Sequence, residues 1–129
     1  MKKSTDNWLT VAEKDLKCAK LCLDGGESLN TITLLHAAVE KILKGICSEL
    51  IGDPPKIHSL QKLAVEVCKV SLEEKQVKLL GLLDDAFIDS RYPDDVAMFE
   101  EEFDIENCKK LYIETREVFK CLKNLIIKS

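Results

Sequence analysis

The chain has 129 residues, 46 % hydrophobic and 33 % charged, with a formal net charge of −4 and a pI near 5.3. That length fits a single domain over residues 1–129, and the apolar share is enough to build a core, which excludes a disordered chain. The acidic balance argues against a general nucleic-acid binder, which needs surplus Lys and Arg to displace counterions, and leaves room only for a local basic cleft.

Apolar residues recur at helical spacing in five segments, and no stretch alternates as a strand would. The first opens at Asp6 as a cap, sets Trp8, Ala12, Leu16, Ala19 and Leu23 on one stripe, and ends at Gly25-Gly26. Ser28 caps the second, whose stripe is Ile32, Leu35, Val39, Ile42, Ile46 and Leu50. The run Gly52-Asp53-Pro54-Pro55 stops it. The third is short and follows His58, with Leu60, Leu63, Ala64 and Val67 facing inward. Ser71 and Glu74 form a capping-box pattern opening the fourth, with inner residues Val77, Leu80, Leu83 or Leu82, and Phe87. That helix stops before Pro93, because the residue ahead of a proline avoids helical angles. Residues 92–103 read as an acidic loop, and Asp104 caps the last helix. There Cys108, Leu111, Thr115, Val118, Leu122 and Leu125 recur in three- and four-residue steps. Short connections favour antiparallel neighbours, so the expected fold is all-α, an up-down bundle of four to five helices.

The polar residues after Met1-Lys2-Lys3 give no apolar signal core, and no run approaches the ~20 apolar residues of a membrane span. A cytoplasmic protein is expected. Six cysteines, Cys18, Cys22, Cys47, Cys68, Cys108 and Cys121, invite a disulfide or metal reading. The helical patterns need no covalent staple, and paired CxxC motifs are absent. Cys18 and Cys22 share a helix face with Asp15 but lack a second ligand pair, so small buried hydrophobes are the simpler reading and no metal or cofactor is expected.

Four pieces of sequence, in order, resemble the small stand-alone HEPN domains of bacteria and archaea. They are Trp8 with Ala12, Asp15-Leu16 and Ala19; the run from His36 to Gly45 (His36-Ala37-Ala38-Val39-Glu40-Lys41-Ile42-Leu43-Lys44-Gly45); His58-Ser59-Leu60; and Ser90-Arg91-Tyr92-Pro93-Asp94. The resemblance implies a HEPN-like helical bundle that commonly forms a homodimer. It also implies binding of nucleotides, pairing with a minimal nucleotidyltransferase in toxin-antitoxin modules, or RNA cleavage. Its ribonucleases carry an Arg followed, after about four to six residues, by a His. Here the matching Arg is Arg91, the positions where a His would fall are Val96, Ala97 and Met98, and no histidine follows Arg91. An arginine holds phosphate but cannot carry a proton near neutral pH, so the resemblance implies a non-catalytic branch.

The candidate ligand-binding set is Arg91, Lys41, Lys44, Glu40, Tyr92, His36 and His58, with no catalytic residue assigned. Arg91 offers a planar fork matched to phosphate, or alternatively an ion pair with Asp89, Asp94, Asp95 or Glu40. Lys41 and Lys44 either line a phosphate groove oriented by Glu40 or form a solvated i,i+4 face. His36 reads as a hydrogen-bonded structural histidine, and His58 as a loop residue near a ligand mouth. Tyr92 is a stacking platform or a turn device. The acidic run Glu100-Glu101-Glu102 is solvated surface or faces a basic partner. The alternatives are a metal-independent ribonuclease toxin in which His36 or His58 replaces the missing motif histidine, and a purely structural dimerisation module.

Overall fold

Helix α2 (Ser28–Leu50) is buried over most of its circumference: Ile32, Leu35, Ala38, Val39, Ile42, Leu43 and Ile46 are all essentially inaccessible, and only a narrow polar face carries Asn30, Thr33, Glu40, Lys41 and Lys44. A helix with so wide an apolar arc has to be covered from several sides, and α2 is. In the computed structural model, which describes residues 1–91 and 95–127, it packs against every other helix and a π-helical turn. The others are α1 (Lys3–Asp24), the π turn (Lys62–Val67), α3 (Glu74–Arg91), α4 (Val96–Glu102) and α5 (Ile105–Ile127). The described residues contain no strand, so the all-α bundle is what the structure shows.

The α1–α2 pair is the most extensive in the molecule. Its closeness has a local cause. Ala12 and Ala19 are fully buried in α1, and a Cβ added to Gly45 of α2 would stand 3.2 Å from the Trp8 Cβ. Small residues let the two helix axes approach, as ridges settle into shallow grooves. Helix α5 packs on α2 as well, and its buried residues include Leu111, Tyr112, Thr115, Val118, Phe119, Leu122 and Ile126.

Several expectations need correction. Residues 96–102, read as loop, form α4, which Asp95 caps by accepting the Met98 amide at 3.0 Å. Phe99 and Phe103, one turn apart, bury their rings against one another with centroids 5.0 Å apart. The three glutamates on its outer side disguised this short amphipathic turn. The third segment takes π geometry over Lys62–Val67, and the bond from the Cys68 amide to the Leu63 carbonyl at 2.8 Å has its five-residue span. Helix α1 starts at Lys3 rather than at Asp6, and Ser28 lies inside α2, so neither side chain acts as a cap. At the start of α3 the Gln76 side chain accepts the Glu73 amide at 3.0 Å, in place of the Ser71–Glu74 box. The Asp104 cap is present, accepting the Asn107 amide at 2.9 Å. Leu50 and Leu125 are exposed rather than core, whereas Leu83 is the buried member of the Leu82/Leu83 pair. Among the described residues, no helix is long and apolar enough to cross a membrane.

Candidate functional site

Residues 84, 87, 88 and 91 share one face of α3 because they recur at three- and four-residue steps. Asp84 is the polar centre of that face. Its Oδ1 accepts from His36 Nε2 at 3.0 Å and from the Leu60 amide at 2.8 Å, and its Oδ2 accepts from the Ser59 hydroxyl at 3.0 Å and the Gln61 amide at 3.2 Å. The carboxylate thus satisfies the open amides where the chain re-enters helix after the proline turn, and ties that entry to α2 and α3 at once. Burial raises the Asp84 pKa, but donation from His36, the two amides and Ser59 outweighs it and leaves the carboxyl below its ordinary value.

His36, on α2, is 1 % exposed. Its ring lies on the Phe87 ring with centroids 4.0 Å apart and planes 8° from parallel. Nε2 is held by Asp84, while Nδ1 has no hydrogen-bond partner, the Glu40 Oε1 standing 3.8 Å away. Glu40, one turn further along α2, accepts from Lys44 Nζ at 2.9 Å and from His58 Nδ1 at 3.1 Å. Its side chain is 16 % exposed and that of His58 is 70 % exposed, so a sheltered carboxylate backs a solvent-facing imidazole. The chain Asp84–His36–Glu40–His58 therefore runs along α2 from the core to the surface.

Arg91 ends the same face of α3. Its guanidinium carbon is 5.4 Å from the Phe87 ring centroid, a cation–π contact, and it forms no ion pair with any described residue. The carboxylate partners expected for it, Asp89, Asp95 and Glu40, are not bonded to it. Asp94 and Tyr92 lie outside the described residues. Arg91, His58, His36 and Ser59 all line one cleft of about 800 Å³ between the π-turn segment, α3 and α4.

The two lysines of the candidate set lie elsewhere. Lys41 Nζ is bonded to Asp15 of α1, and Lys44, 8 % exposed, is held by Glu40 with its ammonium 6.0 Å from the Trp8 centroid. Neither lines the cleft. The structure brings together Arg91, His36 and His58 on the cleft with Glu40 behind them, leaves Lys44 behind Glu40 on the side away from the cleft lining, and draws Lys41 off to Asp15. Asp84 was missed from the sequence, yet it was legible there. It follows Leu80 by one turn and precedes Phe87 by three residues, a carboxylate on a stripe otherwise facing inward.

Among the described residues, no group of three His, Cys, Asp or Glu side chains is placed to hold a metal, and Asp15, the third ligand of the Cys18–Cys22 reading, is engaged by Lys41. All six cysteines are free thiols. Burial pushes Cys68 and Cys108 up to about 11 and raises Cys47 as well.

The comparisons agree with this architecture. A family model described as HEPN domain matches residues 5–125. The crystal structure of TT1696 from Thermus thermophilus superposes with a TM-score of 0.83 at 20 % identity, over 96 % of this chain and 99 % of that one. The crystal structure of ST0689, an archaeal HEPN homologue, superposes with a TM-score of 0.76 at 23 % identity, over 98 % and 99 %. At these identities the likeness is one of fold. Among curated proteins none matches.

Proposed function

The chain belongs to the HEPN domain family, and from that premise we propose that it is a non-catalytic member which binds a nucleotide-sized anion at Arg91 and works beside a protein partner. The carrying observation is the state of Arg91. It is packed on Phe87 at a cleft of about 800 Å³ and free of any carboxylate among the described residues, whereas Lys41 and Lys44 are already neutralised. The cleft falls in the size range of small-ligand sites, roughly 300–1,000 Å³. A guanidinium stacked on an aromatic ring keeps its fork of donors free for a phosphate. With Asp85, Asp89 and Glu102 also on the lining, the site suits a mononucleotide better than an RNA strand, whose many phosphates those carboxylates repel. The family resemblance supplies the rest of the reading: a cytoplasmic homodimer, a minimal nucleotidyltransferase as partner, and a toxin-antitoxin module as setting.

The test is thermal unfolding with ATP, GTP, UTP and AMP. A nucleotide at 100 times its dissociation constant should add about 2.7 kcal/mol, on the order of 10 °C for a chain of this size. Arg91→Ala should remove the shift. No shift with any nucleotide, or a shift that survives Arg91→Ala, overturns the proposal.

One observation favours a second reading, a ribonuclease with a displaced histidine. His58 is exposed in the same cleft as Arg91, and Glu40 fixes its Nδ1 and leaves its Nε2 for proton transfer. His36 is the weaker candidate, since it is buried and stacked. RNA cutting by the wild-type chain that disappears in both Arg91→Ala and His58→Ala would establish this reading over the first.

A further inference from the structure

The cleft does not end beneath Arg91. A second hollow of about 290 Å³ adjoins it and shares Leu82, Glu102 and Phe103 with it. The two form one groove that leads from His58 and Arg91, past α4, to Leu111 and Glu114 on α5. Part of its wall is apolar and open to solvent: Leu82 is 45 % exposed and Ile88 54 %, on a helix whose other face supplies core residues. Large apolar side chains left uncovered along a concave track mark a place where another molecule sits.

The charge around the track says what kind of molecule. Asp85, Asp89, Glu102 and Glu114 line it without an ion-pair partner among the described residues; of the cations on the lining, Lys78 is bonded to Glu74, while Arg91 and Lys110 are unpaired, so free carboxylates outnumber free cations four to two. Over 84–106 the sequence holds ten Asp and Glu residues and one cation, Arg91, a net of −9 against −4 for the whole chain, so the other residues sum to +5. Within that run Asp84 is bonded to His36 and Glu106 to Lys109, and Asp85, Asp89 and Glu102 are the unpaired carboxylates that line the groove. An elongated, partly apolar track edged by an excess of free carboxylates complements an amphipathic helix with lysines and arginines beside its apolar stripe.

We propose that this groove docks a basic amphipathic helix of a partner protein, with its apolar face on Leu82, Ile88 and Phe103 and its cations against Asp85, Asp89, Glu102 and Glu114. The inference does not rest on nucleotide binding at Arg91, which the thermal shift reads separately. A nucleic-acid strand, with phosphates spread along the whole track, is disfavoured by the same carboxylates. A second copy seated here through its own basic surface would make a head-to-tail contact that need not close.

The test uses a fluorescent peptide of about 18 leucines and lysines, roughly 27 Å long as a helix, with the leucines on one face. Controls are a scrambled peptide of the same composition, a leucine–glutamate counterpart and labelled oligouridine, all at about 0.15 M salt. The amphipathic basic peptide should bind at least about tenfold tighter than every control, and Leu82→Ser/Glu102→Gln should weaken it by about tenfold or more. Asp85→Asn/Asp89→Asn, at exposed positions, gives a second route to the same loss. Leu21→Ser on the far side of α1 should bind like wild type. Equal binding of the scrambled peptide, unchanged binding by both double variants, or tighter binding of oligouridine overturns the proposal. So does sedimentation showing wild-type self-association that both double variants abolish.

Discussion

The α1–α2 seam and the α3–α4 side of the bundle are built from similar residues and left in opposite states. Along the seam, small side chains bring the helices together, and the charges at its edge are answered: Lys41 by Asp15 and Lys44 by Glu40. Along the groove beside α3, α4 and α5, Arg91, Lys110 and four carboxylates have no ion-pair partners among the described residues, and Leu82 and Ile88 remain uncovered within a hollow. A domain that satisfies its interactions in one half and leaves them open in the other separates the residues that hold the fold from those available for the proposed ligand and partner. Asp84 joins the two halves, since its four bonds reach α2 and the π-turn entry from α3.

The largest effect should come from the closed half. Leu43→Ala, at a fully buried position of α2, should cost about 2–5 kcal/mol in chemical denaturation, whatever its effect on ligands. A cost under about 1 kcal/mol would mean that α2 is not the common core. Next comes the joint. Asp84→Ala leaves the Leu60 and Gln61 amides and His36 without their acceptor and should cost roughly 2–3 kcal/mol, with the loss of any nucleotide shift following from the displaced Phe87–His36 stack.

The same carboxylate predicts a pH dependence. Its folded pKa lies below the unfolded value, so the unfolded chain binds the extra proton first on acidification. The stability it contributes is complete above the ordinary value of 3.8 and is lost as pH falls through the lower folded value. Asp84→Asn should therefore flatten the acid limb of stability against pH, and an acid limb identical to wild type would show that the carboxylate is not the coupled group.

Gly45→Ala is a smaller probe of the seam. The new methyl meets Trp8 at 3.2 Å, and parting α1 from α2 should cost about 1–2 kcal/mol, with Trp8 fluorescence reporting the movement. The smallest effect belongs to the open half. Arg91→Ala should change stability by roughly 0.5–1 kcal/mol, the size of one exposed cation–π contact, while removing ligand response altogether. A large stability loss there would place Arg91 with the structural residues and erase the contrast.

Much of the architecture was legible in the chain. The long apolar period of α2, the break at Gly25-Gly26, the proline stop at 54–55 and the Asp104 cap follow from local rules that need no knowledge of neighbours, and the structure has all of them. Helix α4 was hidden because it is short and its outer face is three glutamates, so two phenylalanines one turn apart looked like loop residues. Of the candidate site, Arg91 and His58 could be named, but Lys41 and Lys44 could not be told from them. Spacing along α2 fixes which face a lysine occupies and says nothing of what stands opposite.

Amino-acid order alone therefore determined the four long helices and the all-α class, because turn chemistry and apolar period act over a few residues. Only the tertiary structure decided which charges would be paired and which would stay available. Asp15 comes to Lys41 from 26 positions away, and Asp84 to His36 from 48. Ion pairing depends on distances of a few ångströms between helices, and those distances are set by how side chains across the whole bundle pack.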